Sequence, residues 1–117
     1  MSDSLANNVR EGTVEILELL ADFDAQSAYE RNVPIANVPV EFVCMWFDDM
    51  YHPEAVVHCE AFSASERRAL AKFHDFYDRH VDLLPQNHGV AALHATPVWR
   101  EIVDHAGAAL RAFDAAS

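Results

Sequence analysis

Residues 39–53 read PVEFVCMWFDDMYHP, and the helix that they predict is apolar around most of its circumference. Proline fits a first helical position and cannot continue a helix, so this segment predicts a helix from about Pro39 to Tyr51, stopped by Pro53. Its apolar side chains are Val40, Phe42, Val43, Cys44, Met45, Trp46, Phe47, Met50 and Tyr51. Because a helix that is apolar nearly all round is normally buried, we expect it at the centre of a helical fold.

Amphipathic helices are predicted on both sides of this central helix. One covers about residues 9–29 with a break near Asp24, another covers residues 63–84 behind a capping box that starts at Ser63, and a last one covers residues 97–113. Their apolar stripes comprise Val9, Thr13, Ile16, Leu20 and Phe23; Leu70, Phe73, Tyr77, Val81 and Leu84; and Trp99, Ile102, Val103, Ala106, Leu110 and Phe113. Stripes of this kind are typical of helices that pack against one another.

The segments between these helices predict connections rather than strands. Asn-Val-Pro occurs twice in residues 32–39, and proline favours extended backbone before it, so an ordered, non-helical connection is expected there. Residues 53–62 predict a loop or short turn. No alternating apolar run and no hairpin dipeptide predicts a strand. We therefore expect an all-α fold, a compact four- or five-helix bundle in a single domain over residues 1–117, with frayed ends at about 1–8 and 114–117.

The charge balance limits the classes of partner. Eight basic residues against nineteen acidic ones give a formal net charge of −11, which argues against nucleic acids and anionic membrane surfaces because both select clustered Lys and Arg. A basic protein partner is compatible with this charge. The sequence shows no membrane span and no secretion signal. Cys44 and Cys59 do not form a dense disulfide framework, so a reduced, cytoplasmic protein is expected.

The first predicted helix carries a row of acids. Glu11, Glu15, Glu18 and Asp22 are spaced by four, three and four residues without interleaved Lys or Arg, which predicts a continuous acidic ridge opposite the apolar stripe. Like charges at this spacing destabilise a helix by roughly 0.2–0.5 kcal/mol per pair. One interpretation is that the ridge is kept for a partner, and the other is a merely solvated face of an acidic protein.

The end of the central helix is the second candidate binding surface. Trp46, Asp48, Asp49 and His52 combine aromatic, acidic and imidazole groups within seven residues. Such a mixture resembles the composition of interface hot spots. The alternative is a helix end buried in the bundle with its acids facing water.

Seven histidines raise the question of a metal site. Four of them stand four residues from an acid, in the pairs Asp48/His52, Glu54/His58, His74/Asp78 and Glu101/His105. Random placement would give about two such pairs, and the metal-binding motifs Glu-x-x-His and His-Glu-x-x-His are absent. Cys59 beside His58 is a weak candidate for a catalytic nucleophile and its base, because residues adjacent in sequence rarely point at each other in a useful geometry. We predict no metal ligand, no cofactor and no catalytic residue.

These observations favour a non-enzymatic protein-binding module that engages a basic partner through the acidic ridge and the end of the central helix. Small acidic inhibitors such as bacterial immunity proteins and antitoxins have this general character of size and charge. Two alternatives stay open. One is a metal-binding helical protein that uses Asp48, His52 and other histidines, and the other is a homo-oligomer such as a homodimer, formed through the apolar surplus of the central helix.

Overall fold

A computed structural model of the protein describes residues 2–33, 36–85 and 89–116, and these residues form helices joined by short connections. The α-helices are α1 (Ser2–Leu20), α2 (Phe23–Asn32), α3 (Val38–Val43), α4 (Val56–Ala61), α5 (Ala64–His80), α6 (Val90–His94) and α7 (Pro97–Ala116). A π-helix, Cys44–Met50, continues α3 directly, and a 3-10 turn, Val81–Leu83, continues α5. No described residue lies in a strand. The predicted all-α fold is confirmed.

The chain ends and the proline-rich connection differ in part from what the sequence predicts. Where they are described, the ends expected to fray are helical, since residues 2–8 belong to α1 and residues 114–116 to α7. Both ends of the predicted non-helical connection, residues 32–39, are helical, because α2 includes Asn32 and α3 begins at Val38. Pro34 and Ile35, in the middle of that connection, lie outside the described residues.

The segment predicted as a loop, residues 53–62, contains α4. This helix has only six residues, too few to show a helical period in the sequence. It packs along α1, and its last carbonyl, that of Ala61, accepts a hydrogen bond of 3.0 Å from Nη1 of Arg10. The loop prediction is wrong here because contacts with α1, rather than local periodicity, stabilise this short helix.

The central helix is present but changes its type halfway. Its α-helical part gives way to the π-helix, in which the amide of Tyr51 donates to the carbonyl of Trp46 at 3.0 Å, a bond that spans five residues. Val38, Phe42 and Trp46 are completely buried. The prediction that this segment lies in the core is therefore correct for one of its faces, while Asp48 and Asp49 lie on the exposed side.

The main packing interface joins α5 to α7, and α1 packs against α7 and α4. From α5, Leu70, Phe73 and Tyr77 enter the core. From α7, the buried residues are Trp99, Ile102, Val103, Ala106, Ala109 and Phe113. These side chains follow the stripes that the spacing of three and four residues predicts. Leu110 is only half-buried.

A bidentate ion pair ties α1 to the start of α5. Both terminal nitrogens of Arg10 donate to the carboxylate of Glu66, each at 2.7 Å. The predicted capping box is present, since the amide of Ser63 donates to Glu66 Oε1 at 2.8 Å and the amide of Glu66 donates to Ser63 Oγ at 3.2 Å. The hydrogen bonds from Arg10 are the largest cause that lowers the pKa of Glu66, which is 2% exposed.

A buried glutamine, Gln26, ties together four helices at the C-terminal end of α1. Its Nε2 donates to the carbonyls of Leu19 and Leu20, both at 3.1 Å. Its Oε1 accepts from Nε1 of Trp99 at 3.0 Å and from Nε2 of His94 at 2.8 Å. Gln26 is completely buried, so these four bonds satisfy a polar group that would otherwise destabilise the core.

Replacing this glutamine tests its importance for stability. We expect Gln26→Leu to lower the free energy of unfolding by about 2–4 kcal/mol, because the indole N–H of Trp99 and the carbonyls of Leu19 and Leu20 lose their partner. Urea denaturation measures this. As a control, Asn8→Leu at an exposed position should change the free energy by less than about 0.5 kcal/mol. Equal effects of the two variants would contradict the assignment.

The ion pair is tested by Arg10→Met, which keeps much of the apolar stem and removes the guanidinium. We expect a loss of about 2 kcal/mol in the free energy of unfolding. This is less than for a fully buried pair, because the Arg10 side chain is 37% exposed. Arg68→Met on the exposed face of α5 is the matched control, with an expected change below about 0.5 kcal/mol. Similar losses in both variants would show that the pair contributes nothing specific.

Candidate functional site

Three acids of the predicted ridge lie together on the exposed face of α1. Glu11, Glu15 and Glu18 are exposed, whereas Leu17 and Leu20 on the opposite face are completely buried. At ~100° per residue, spacings of four and three place the three acids on one side of the helix. Within the described part of the chain none of them forms an ion pair or a side-chain hydrogen bond. We refer to these three residues as the α1 glutamates.

Asp22, the fourth acid of the predicted ridge, does not continue it. Helix α1 ends at Leu20, and Asp22 has extended backbone, with φ −135° and ψ 110°. Its carboxylate accepts from the amides of Asp24 at 2.9 Å and Ala25 at 3.1 Å, which makes Asp22 the N-cap of α2. The prediction of a ridge that includes Asp22 is therefore wrong, because this acid satisfies free amides at the start of the next helix.

The basic residue of α1 does not neutralise the α1 glutamates. Arg10 is the single Lys or Arg in the sequence of this helix, and its guanidinium is bound to Glu66. It also lies 4.9 Å from the centre of the Phe113 ring. A shallow depression of about 410 Å³ follows this side of α1, and its described lining includes Arg10 and all three α1 glutamates. The acidic charge of this surface is thus left open to solvent.

Trp46 is not available to a partner. The residue is completely buried, and its Nε1 donates to Nδ1 of His74 at 3.2 Å. Its ring stacks on that of Tyr51, with centroids 5.2 Å apart. The prediction that Trp46 contacts a partner is wrong because its position on the central helix faces α5, where the indole packs against the core residue Phe73.

The other three residues predicted at this helix end are exposed. Asp48 and Asp49 lie on the π-helix, and His52 follows it. His52 Nε2 donates to the carbonyl of Asp48 at 2.8 Å, and its Nδ1 lies 3.6 Å from the carboxylate of Glu54. The structure thus leaves Asp48, Asp49 and Glu54 as a second group of exposed acids. π-Helices are rare and occur frequently at functional sites.

A cavity of about 260 Å³ lies between α1, the π-helix and α4. Its apolar walls are formed by Val9, Met50, Ala55 and Val57, and its polar lining includes Asp49, His52, Glu54 and His58. We call it the α1–α4 cavity. All of its described lining residues except Val9 fall within residues 49–58, and the cavity forms where this stretch packs against Val9 of α1. The candidate residues predicted from the sequence include two of its members, Asp49 and His52.

The wall between α1 and the π-helix is held in place by a close contact. A Cβ atom at Gly12 would lie 3.1 Å from Sδ of Met50, which is tighter than an ordinary carbon contact. Next to it, the hydroxyl of Thr13 lies 4.0 Å from the same sulfur. Glycine at position 12 therefore allows the π-helix to approach α1 closely, and this approach places Asp49 beside Val9 at the cavity.

His58 is the most unusual residue of the cavity. It is 4% exposed, and its ring forms no hydrogen bond with any described residue. Its neighbours are the edges and faces of the Tyr51 and Phe62 rings, at 5.5 and 5.0 Å between centroids. Burial lowers the pKa of His58, and the nearby Arg67 cation lowers it further. The cavity is thus lined by a neutral imidazole whose polar atoms have no partner.

The remaining described histidines have structural partners or stack on rings. His80 Nδ1 donates to the carbonyl of Phe76 at 2.7 Å, and the Phe76 ring lies between the rings of His80 and His105. His74 and His94 bond to Trp46 and Gln26, as described above. Among the residues with described side chains, no three His, Cys, Asp or Glu come together as a metal would require. His88 lies outside the described residues.

The lowered pKa of His58 predicts a pH-dependent stability. The unfolded chain, with a histidine pKa of about 6.5, takes up a proton before the folded chain does. Stability is therefore fully present above about pH 6.5 and is lost as the pH falls toward the lower folded pKa. We expect the Tm to fall between about pH 7.5 and 5.5, and to fall less in His58→Phe.

The pKa of His94 is also lowered by burial, so part of this pH dependence should remain in His58→Phe. His52→Phe is the matched control at an exposed histidine on the same cavity, and it should keep the slope of the unmodified protein. A slope in His58→Phe as steep as in His52→Phe would contradict the prediction.

Comparison with protein families, curated proteins and solved structures gives no match for the chain. Among the described residues, no helix is both long and apolar enough to cross a membrane. The candidate functional site therefore consists of what the geometry itself provides. It comprises two groups of exposed acids, the α1 glutamates and the acids at the end of the π-helix. It also comprises the α1–α4 cavity, which lies between α1 and the end of the π-helix.

Proposed function

We propose that the protein is a non-enzymatic binding module whose acidic surface engages a basic surface of another protein. Small acidic inhibitors, among them bacterial immunity proteins and antitoxins, act in this manner, and the likeness is one of size and charge. The observation that carries the proposal is the state of the α1 glutamates. They are exposed and unpaired among the described residues, while the one basic side chain of α1 is bound elsewhere.

The row of like charges on α1 lowers the stability of this helix, whereas a helix with mixed surface charges has no such loss. Glu11 and Glu15, and then Glu15 and Glu18, repel each other at four and three residues' separation, by roughly 0.2–0.5 kcal/mol per pair. Lys or Arg beside these acids would reduce that cost, yet the one such residue of α1, Arg10 at the edge of the same depression, is bound to Glu66. A basic partner would supply the missing counter-charges, so binding would relieve the repulsion as well as add contacts.

The overall charge supports fast recognition of such a partner. A formal net charge of −11 creates a long-range attraction for a basic surface, which raises association rates by about 10- to 1000-fold at low salt. The exposed acids of the π-helix end, Asp48 and Asp49, extend the acidic surface beyond α1. We propose that the same partner also contacts these acids, which lie on the π-helix that packs against α1.

The alternatives draw less support from the described residues. The metal hypothesis rests on Asp48 and His52, whose contact is made through the Asp48 carbonyl rather than its carboxylate. The homo-oligomer hypothesis rests on the large apolar surface of the central helix. Two of its large apolar side chains, Phe42 and Trp46, are already buried within one chain. Cys44 and Cys59 are free thiols, which fits the proposed location in the reducing cytoplasm.

The proposal is tested by affinity capture from the protein's own cells, followed by binding kinetics with the captured partner. We expect one specific basic protein. Reversing two α1 glutamates, in Glu15→Lys combined with Glu18→Lys, should then slow association by about tenfold or more and flatten its dependence on salt, with the fold unchanged.

The matched control has the same change in net charge on another surface. Asp78 and Asp82 are exposed on α5 and the turn that follows it, and the double variant Asp78→Lys with Asp82→Lys should slow association much less. Equal slowing in both double variants would mean that only net charge matters. Unchanged kinetics in the α1 variant would exclude the α1 glutamates as the contact.

A further inference from the structure

We infer that the α1–α4 cavity receives the side chain of one arginine from the basic partner, so that this arginine anchors the complex. The inference rests on the proposed function and goes further by naming the residue type and the place where it binds. Its basis is the combination of three features in one cavity: apolar walls, an acidic mouth and a buried imidazole without a partner.

The size and walls of the cavity suit a single long side chain. Its volume of about 260 Å³ lies just below the roughly 300–1,000 Å³ typical of pockets for drug-sized ligands. That is room for one side chain and not for a helix. Val9, Met50 and Val57 provide apolar walls, against which the three methylene groups of an arginine would pack while its charged end reaches a polar region.

The charge of the cavity lining favours a cationic ligand. Asp49 and Glu54 are exposed carboxylates in its lining, and its described lining contains no Lys or Arg. The buried His58 does not reverse this sign, because its lowered pKa keeps the ring neutral at physiological pH. The nearby Arg67, which lowers the pKa of His58, is not part of the described lining. An anionic ligand would therefore meet two carboxylates in the lining itself, and the complementary ligand is a cation on an aliphatic stem.

His58 favours arginine over lysine. A neutral imidazole has one ring nitrogen that accepts a hydrogen bond, and that of His58 is not used by any described residue. The acceptors of His58, Asp49 and Glu54 lie around one small cavity. A guanidinium presents five N–H donors in a fixed plane and is weakly hydrated, whereas an ammonium is a compact, strongly hydrated charge. Arginine can therefore serve several separated acceptors with less loss of hydration.

The cavity is also fixed before binding. Met50 packs closely on Gly12, where a Cβ atom would lie 3.1 Å from its Sδ, and the ring of His58 contacts those of Tyr51 and Phe62. A preformed pocket binds with a smaller loss of conformational freedom than one that must be assembled. This is the usual property of the pocket that receives a hot-spot side chain.

The cavity is tested by NMR titration of the isotope-labelled protein at about pH 7.5, where a histidine with a lowered pKa is neutral. The probe is N-acetyl-arginine N-methylamide. We expect saturable shifts of the His58 ring and of the Val57 and Met50 methyl signals, with a Kd in the millimolar range. The corresponding citrulline derivative, which has the same shape without the charge, should bind about tenfold more weakly or not at all.

Two variants locate the binding. Ala55→Trp fills the cavity without a change of charge and should abolish the shifts, while Ala91→Trp, at an exposed alanine on α6, should preserve them. Asp49→Asn combined with Glu54→Gln keeps the side-chain shapes and should weaken binding about tenfold or more. Equal binding of the citrulline probe, absence of saturable shifts, or full binding by the charge-removed variant would each overturn the inference.

Measurements on the captured partner separate this inference from the proposed function. A partner whose binding is weakened by Glu15→Lys with Glu18→Lys, but is unchanged in Ala55→Trp, would support the proposed function and refute the anchoring arginine. Loss of partner binding in Ala55→Trp, together with specific binding of the arginine probe, would support both. Specific probe binding without any basic partner would refute the proposed function and the anchor, leaving a guanidinium site of another kind.

Discussion

The pairing of Arg10 with Glu66 is the constraint on which the rest of the molecule depends. Glu66 has two tasks, since it completes the capping box of α5 and holds the guanidinium of α1. Arg10 in turn binds the last carbonyl of α4 at Ala61 and lies over the ring of Phe113 on α7. One interaction thus sets the relative positions of four helices. It also engages the one basic side chain of α1, so the α1 glutamates have no counter-charge from their own helix.

The buried amide of Gln26 complements this pair at the C-terminal end of α1. Because it binds the carbonyls of Leu19 and Leu20, it fixes where α1 ends and where the chain turns into α2. A helix held at its middle by Arg10 and at its C-terminal end by Gln26 cannot rotate about its axis, so its apolar stripe and its acidic face are set together. Polar groups in the core, rather than apolar packing alone, thereby determine which side chains of α1 reach the solvent.

The features that the sequence predicts well depend on neighbours in the chain. The capping box at Ser63 and the stripe that includes Phe73 and Tyr77 act within a few residues, so α5 follows from its own segment. Features that depend on distant segments of the chain are not predicted from the sequence. Helix α4 needs α1 to be stable, and Asp22 changes from a ridge acid to a cap because α1 ends early. The cavity beside His58 forms only where residues 49–58 pack against the distant Val9. A helical wheel also cannot decide which side of the apolar central helix is buried, so the buried position of Trp46 was not predictable.

The π-helix makes the exact number of residues before the cavity important. Its five-residue bonding pattern accommodates one residue more than an α-helix would over the same rise. Deletion of a single residue between Cys44 and Met50 would allow ordinary α-helical bonding, but everything after it would rotate by ~100° relative to Phe42. Asp49 would then leave the cavity and Met50 would leave Gly12. In evolution, a gain or loss of one residue here would act as a switch between chains that have this cavity and chains that lack it.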